Sequence, residues 1–151
     1  MGKWMSIALL ACAATLVVCS AFIGCGSPEN VGQVSGKVTL DGHPLAGARV
    51  RFTPKAAGSP SSAITDASGN YSLMYTREIK GAEIGEHTVS ISTYSKGDAD
   101  AEPPKPSVPE KVPAKYNTQT ELTRTVKAGS NTINLELESA GKIVQPGKNE
   151  E

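Results

Sequence analysis

The chain has 151 residues, a length that suits one ordinary domain with short additions. Its 15 basic residues balance its 15 acidic residues, which excludes a global field that would recruit nucleic acid or an anionic membrane. With 15 glycines, 10 prolines and few aromatics, and with no long amphipathic helical pattern after residue 25, the composition favours an all-β module rich in turns.

The N-terminus has three parts: Lys3, the apolar stretch "WMSIALLACAATLVVCSAFI", and "GCGS". This layout is typical of a secretory signal, and we assign it to residues 1–24. The apolar stretch approaches the roughly 18–20 residues that span a bilayer, so a retained transmembrane anchor is the alternative. Ser6, Thr15 and Ser20 dilute the stretch and no basic cluster follows it, which favours the cleaved signal.

All three cysteines lie in the first 25 residues, which excludes a disulfide framework in the rest of the chain. Cys25 follows Gly24 and the pair Phe22-Ile23. This stretch resembles the lipobox of bacterial lipoproteins, with Phe22 where leucine is usual. The resemblance implies a diacylglyceryl thioether on Cys25, cleavage before it, and acylation of the new amine, for example by palmitate. Two or three acyl chains anchor a protein stably, at about 0.8 kcal/mol per buried methylene; secretion without lipid is the alternative.

Residues 25–32 are predicted to be a flexible tether, and a β pattern begins at residue 33. Seven short stretches alternate apolar and polar side chains, separated by turns such as "DGHP" (41–44) and "DASGN" (66–70). Such strands bury their apolar faces only against one another, so residues 33–138 are predicted to form two antiparallel sheets packed face to face. The predicted inward positions are Val34, Val38, Leu40, Ala48, Val50, Phe52, Tyr71, Leu73, Tyr75, Val89, Ile91, Leu122, Val126, Ile133, Leu135 and Leu137.

Two segments fall outside this pattern. Residues 95–113 hold five of the ten prolines and are predicted to be an exposed insertion, because proline removes ladder donors and favours extended backbone. Its "PPKPSVP" stretch is expected to be a spacer, with docking to a proline-binding partner as the alternative. Residues 139–151 are too polar to pack and are predicted to be a flexible tail.

Three stretches in this order, "VSGKVTLDGHPLAGARVRFTP", "AITDASGNYSL" and "GEHTVSI", resemble the carboxypeptidase regulatory-like domain. The later "VPAKYNTQTELTRTVKAGSNTINLEL" is similar to the closing half of small bacterial lipoproteins that carry this domain. The resemblance implies a seven-stranded antiparallel Greek-key β-sandwich like that of transthyretin (prealbumin). Its motif residues explain turns and core positions, and a shared fold does not convey a shared activity.

Metal chemistry finds little support in the sequence. Asp66 and the oxygens after it loosely match a calcium loop, but position twelve, where a bidentate Glu is required, is Arg77. We therefore predict a plain turn, capped by Asp66, with calcium as the alternative. The two histidines, His43 and His87, have no HExxH or paired cysteines around them, so no zinc site is predicted.

"ARVRFT" (48–53) places Arg49 and Arg51 together on the outward face of one predicted strand. We expect this face to be solvated, with its charge offset by Glu136 and Glu138. A patch for a small anionic ligand or a polysaccharide is the alternative.

No GxSxG or other nucleophile motif is present, so no catalytic residue, cofactor or metal is predicted and the protein is not expected to be an enzyme. The expected function is that of a lipoprotein of the bacterial cell envelope, anchored outside the cytoplasm through Cys25, with a non-catalytic binding or structural module. Its expected partners are the membrane and an unidentified envelope protein or polysaccharide, not nucleic acid. The alternative is a secreted or surface module for adhesion or carbohydrate binding.

Overall fold

The computed structural model describes residues 30–146. The predicted signal peptide, the predicted lipid site at Cys25 and the last five residues lie outside this range. Within it, no helix is long and apolar enough to cross a membrane.

Residues 30–146 are all-β, with ten strands and one short 3-10 turn at Ala114–Tyr116. In chain order the strands are β1 (Val31–Leu40), β2 (His43–Pro44), β3 (Arg49–Pro54), β4 (Ser61–Ile64), β5 (Asn70–Ser72), β6 (Ala82–Glu83), β7 (Gly85–Ser92), β8 (Thr123–Val126), β9 (Ser130–Thr132) and β10 (Leu135–Leu137).

Strand β1 is the centre of the first sheet. On one edge it pairs antiparallel with β2, β5 and β6, and on the other it pairs with β9 and β10. Both of these C-terminal strands run parallel to β1, which corrects the expectation of purely antiparallel sheets. The predicted tether also ends earlier than expected, because Val31 and Gly32 are already buried in β1.

The second sheet is antiparallel throughout, in the order β4-β3-β7-β8. Its longest ladder joins β3 to β7, from Arg49 opposite Ser92 to Pro54 opposite His87. The alternation predicted for β3 is confirmed, because Ala48, Val50 and Phe52 are buried while the residues between them are exposed.

The two sheets share one apolar core in a sandwich-like arrangement. Fifteen buried side chains form it, and Leu40, Leu122 and Ile133 pack partly buried against it. Most predicted inward positions are confirmed. Tyr75 is the exception, because the chain leaves the sheet after Leu73 and returns at β6, which leaves Tyr75 half-buried in the excursion. The core residues are Val34, Val38, Leu45, Ala48, Val50, Phe52, Tyr71, Leu73, Ala82, Val89, Ile91, Val112, Val126, Leu135 and Leu137.

The Pro-rich insertion is more ordered and its end more buried than predicted. Its two arms pair at Ser95 with Val108 and at Asp98 with Lys105, which makes a ribbon. The insertion then turns inward, because Glu110 is only 4% exposed and Val112 is fully buried. The segment predicted as 95–113 therefore ends inside the core.

The segment after β10 also departs from the prediction of a flexible tail. The Lys142 carbonyl accepts a 2.8 Å hydrogen bond from the Ala114 amide. The Gln145 side chain bonds both backbone groups of Glu110, at 2.9 Å each. Residues 142–145 thus lie against the end of the Pro-rich segment. A polar stretch can do this because hydrogen bonds, not apolar burial, hold it there.

Candidate functional site

The predicted lipid site, Cys25, precedes the described residues, and the described chain begins at one end of the sandwich. An open cleft of about 790 Å³ lies at this end, beside the start of β1. It is lined by Asn30, Val31, Ala56, Ala57, Tyr75, Glu83 and Ile84. Sequence reasoning missed this cleft because it forms from three segments that are distant in sequence.

A carboxylate stands at the rim of the cleft. Glu83 Oε1 accepts hydrogen bonds from the Tyr75 hydroxyl at 2.8 Å and from the Ser59 amide at 3.1 Å. The hydrogen bond from Tyr75, and after it the one from Ser59, lowers the pKa of Glu83. The same Tyr75–Glu83 bond raises the pKa of Tyr75. The pair therefore holds an ionised carboxylate and a neutral phenol near neutral pH. Residues 30–146 contain no group of three His, Cys, Asp or Glu side chains able to hold a metal.

A second carboxylate, Glu110, is buried at the opposite end. Its oxygens accept from the Ser92 hydroxyl at 2.5 Å and from the Thr93 and Val112 amides at 3.0 and 2.9 Å. Burial raises the pKa of Glu110, but these hydrogen bonds together outweigh it and the net pKa is lowered. The side chain ties β7 to the end of the Pro-rich segment, so its bonds are structural.

The "DASGN" turn has the geometry predicted for a plain turn. Asp66 Oδ1 accepts from the Asn70 amide at 2.9 Å and from the Ser68 amide at 2.8 Å. These bonds lower the pKa of Asp66, the bond from Asn70 contributing most. Gly69 takes a φ of 80°, as the turn requires. The carboxylate caps the turn from within.

The two histidines lie at opposite ends of the sandwich, His43 exposed in β2 and His87 buried in β7. His87 Nδ1 is 3.1 Å from the Gly85 carbonyl oxygen, which accepts, so Nδ1 carries the proton. No donor in the described part of the chain reaches Nε2. The ring packs against Phe52, with centroids 5.9 Å apart.

Arg49 and Arg51 lie on the exposed outer face of the four-stranded sheet, as predicted. Among residues 30–146, neither guanidinium has an ion-pair partner. Glu136 and Glu138 do not offset their charge, which corrects that expectation, because the β10 segment belongs to the other sheet. Glu138 pairs with Lys115 instead, at 3.4 Å.

No family model matches the chain, and no curated protein is significantly similar to it. Among solved structures, a DUF3823 family protein from Parabacteroides merdae is similar, with 17% sequence identity and a TM-score of 0.38. The alignment covers 72% of this chain and 46% of the other, so the chain spans less than half the length of that protein.

Proposed function

We propose that the protein is a lipoprotein of the bacterial cell envelope, held to a membrane outside the cytoplasm by lipid on Cys25, with a non-catalytic binding or structural module. The observation that carries the proposal is the short distance between the lipobox-like stretch and β1. Val31 already belongs to β1, so only residues 26–30 separate Cys25 from the sandwich. Six residue steps of at most about 3.6 Å keep the sandwich within roughly 22 Å of the lipid.

The position of β1 suits an anchored strand. It is hydrogen-bonded along both edges, to β5 and β6 on one side and to β9 and β10 on the other. Tension applied through residue 30 would therefore be shared between two ladders. An edge strand in the same position would have only one.

The proposed domain type is the carboxypeptidase regulatory-like, transthyretin-like sandwich. Strands β5 and β6 lie along the same edge of β1, interrupted by the excursion at residues 74–81, and β9 and β10 share the other edge. With each interrupted pair counted as one strand, and the two-residue β2 set aside, the two sheets contain seven strands. This count supports the proposal.

A binding or structural role also fits the bonding of the polar groups. The buried Thr65 hydroxyl donates to the Leu45 carbonyl and accepts from the Ala48 amide. Asp66 and Glu110 are likewise engaged by backbone amides. These groups are committed to turns and junctions, which leaves them unsuited to proton transfer on a substrate.

The second candidate function is a surface module for carbohydrate binding, which the unpaired arginines of β3 favour. It does not rest on stacked aromatic side chains. Tyr71 is buried, and the other three tyrosines, at positions 75, 94 and 116, are half-buried and widely separated in the chain.

The test is an intact mass of the protein extracted from membranes of a bacterial host. We expect a chain that begins at Cys25 and carries two or three acyl groups. Cys25→Ser should abolish the acyl mass, whereas the matched control Cys19→Ser should leave it unchanged. A chain that starts at Met1, or a cleaved chain without lipid, would overturn the anchored function.

A further inference from the structure

We propose that the outer face of the four-stranded sheet, centred on Arg49 and Arg51, is a docking surface for an anionic polysaccharide. The inference deepens the binding role in the proposed function by naming the surface and the ligand class. It needs neither the lipid nor the signal peptide, so it can fail or hold independently of the anchor.

The register of the sheet places hydroxyl side chains on both sides of Arg51 and on the β7 side of Arg49. Arg51 lies opposite Ser62 of β4 on one side and Ser90 of β7 on the other. The next outward position along β3, Thr53, lies opposite Thr88. Successive outward positions are about 6.6–6.8 Å apart along a strand. The face therefore presents two guanidinium groups in a row, set among small hydroxyls.

One apolar side chain completes this face. Ile64 lies opposite Arg49 on β4 and is 64% exposed, the largest exposure among the large hydrophobic side chains of the described segment. A sugar ring has apolar C–H groups as well as hydroxyls. An exposed aliphatic side chain beside a guanidinium matches a charged sugar better than it matches a free inorganic anion.

Neither arginine of this face has an ion-pair partner among the described residues. The carboxylate of the face on β7, Glu86, lies four residues from Ser90, about 13 Å along the strand, and is paired with Lys55 at 2.9 Å. Glu110 approaches the other end through Ser92, the residue opposite Arg49, and its oxygens accept from hydroxyls and amides, not from a guanidinium. The two guanidinium groups, without an ion-pair partner within residues 30–146, therefore favour an anionic partner.

Guanidinium groups suit carboxylates and phosphates in particular, because their planar donors form two parallel hydrogen bonds to such anions. Because the face is a sheet surface and not a cavity, a single small anion would gain few contacts there. A polymer carrying repeated charges engages both arginines and the hydroxyl rows at once. This difference favours a polysaccharide over a free monosaccharide or phosphate.

The experiment measures binding of the full chain, solubilised in detergent, to polygalacturonate by titration calorimetry. The uncharged comparison polymer is dextran of similar length. We expect binding to polygalacturonate alone, with an affinity that falls as NaCl is raised. Equal binding to dextran, or no binding to either polymer, would overturn the proposal.

Variants then locate the surface. Arg49→Gln/Arg51→Gln should weaken binding at least tenfold, whereas Arg77→Gln/Lys80→Gln, which removes the same charge from the excursion between β5 and β6, should change it less than twofold. Arg49→Lys/Arg51→Lys keeps the charge but loses the paired donors, so an intermediate loss is expected. Equal losses of affinity in the two Gln variants would mean that the polymer responds to the overall charge of the protein and not to this face, which would overturn the proposal.

Further ligands test whether the face binds a polysaccharide, a small anion or an anionic membrane. Free galacturonate and inorganic phosphate should bind at least a hundredfold more weakly than the polymer. Equal affinity would indicate a small-anion site and overturn polysaccharide docking. Stronger binding of the Arg49/Arg51 face to anionic lipid vesicles than to the polymer would also overturn it. Since lipidation of Cys25 is measured by mass, failure of the anchor leaves these outcomes unaffected.

Discussion

Two buried polar side chains, Glu110 and His87, differ in how fully their polar atoms are hydrogen-bonded. Glu110 is buried near the end of the Pro-rich segment, yet it accepts from five neighbouring donors, two hydroxyls and three amides. His87 is equally buried, but its Nε2 has no donor within the described segment. Removing the Glu110 carboxylate should therefore destabilise the fold strongly, whereas replacing the His87 ring by an apolar side chain of similar size should not.

For Glu110, we expect Glu110→Ala to lower the free energy of unfolding by about 2–4 kcal/mol, because the amide and hydroxyl donors would lose their shared acceptor. Urea unfolding at pH 7 measures this loss. Glu102→Ala, which removes an exposed carboxylate from the same segment, is the control and should change stability by less than about 0.5 kcal/mol. Equal effects of the two substitutions would contradict the structural role of Glu110.

For His87, the important property is volume and not polarity. His87→Leu keeps the packing against Phe52, and its loss of the Nδ1–H bond to the Gly85 carbonyl is offset by removal of an Nε2 acceptor that has no donor, so stability should change by less than about 1 kcal/mol. His87→Ala leaves a cavity and should cost about 2–4 kcal/mol. Thermal unfolding of both variants tests the difference. A Leu variant as unstable as the Ala variant would show that Nε2 also has a partner.

At the scale of elements, the C-terminal strand is divided into β9 and β10 at Ile133 and Asn134. The Asn134 side-chain oxygen accepts the Lys37 amide of β1 at 3.1 Å, in place of a backbone carbonyl. Across from this break, β1 carries Gly36, where an added Cβ would meet the Ile133 carbonyl group. The backbone of β1 at Gly36 and the backbone at Ile133 therefore approach each other closely at this break.

Gly36→Ala tests this approach. Since the obstacle is backbone and not a flexible side-chain end, either β1 or the Ile133 region must shift, and we expect a loss of about 1–3 kcal/mol. Ser35→Ala, an exposed position next to it on β1, is the control and should be nearly neutral. Chemical denaturation measures both. A Gly36 variant as stable as the control would mean that the two strands are further apart than described.

These elements also indicate what the sequence can predict. Local alternation was enough for Val50 and Phe52, because their burial follows from strand period alone. The division at Ile133 was not predictable locally, since its cause lies on β1, about 100 residues away. Glu110 was missed for a related reason. A charged residue beside prolines has the composition of an exposed segment, and three of the five donors that stabilise its burial come from Ser92 and Thr93, which are distant in sequence.

For the candidate surfaces too, the sequence predicts what depends on one strand and misses what depends on the topology. The common face of Arg49 and Arg51 follows from spacing within one strand, so the sequence predicted it. Their lack of a carboxylate partner depends on which sheet contains Glu136, and only the topology decides that. The cleft beside Glu83 needed three separate segments, so no motif could have indicated it.

For the molecule as a whole, the ionisable groups define a range of pH in which the fold is stable. The Ser139 side chain and amide lower the pKa of Asp41, as neighbouring donors do for Asp66, Glu83 and Glu110. Burial instead raises the pKa of Tyr71, whose hydroxyl donates to the Ile133 carbonyl at 2.7 Å. The carboxylates therefore favour the fold when ionised, and the tyrosine favours it when protonated.

The sign of each effect follows from linkage. A carboxyl group whose folded pKa is lowered contributes stability above its unfolded pKa, about 4, and that contribution is lost as the pH falls through the folded value. A tyrosine whose folded pKa is raised contributes fully below about 10, and its contribution is lost as the pH rises through the folded value. Stability should therefore be flat near neutrality and fall on both sides.

Two substitutions distinguish the acid decline in stability from the alkaline decline. The measurement is the free energy of unfolding in urea between pH 2.5 and 11. Glu110→Gln should flatten the acid decline and leave the alkaline decline unchanged, because it removes one carboxyl whose pKa is lowered by folding. Tyr71→Phe should do the reverse, although both variants are less stable than the parent at pH 7. If Glu110→Gln left the acid slope unchanged, the Glu110 carboxylate would not be held by the amides around it. Proton uptake on acid unfolding would then come from the turn and cleft carboxylates instead.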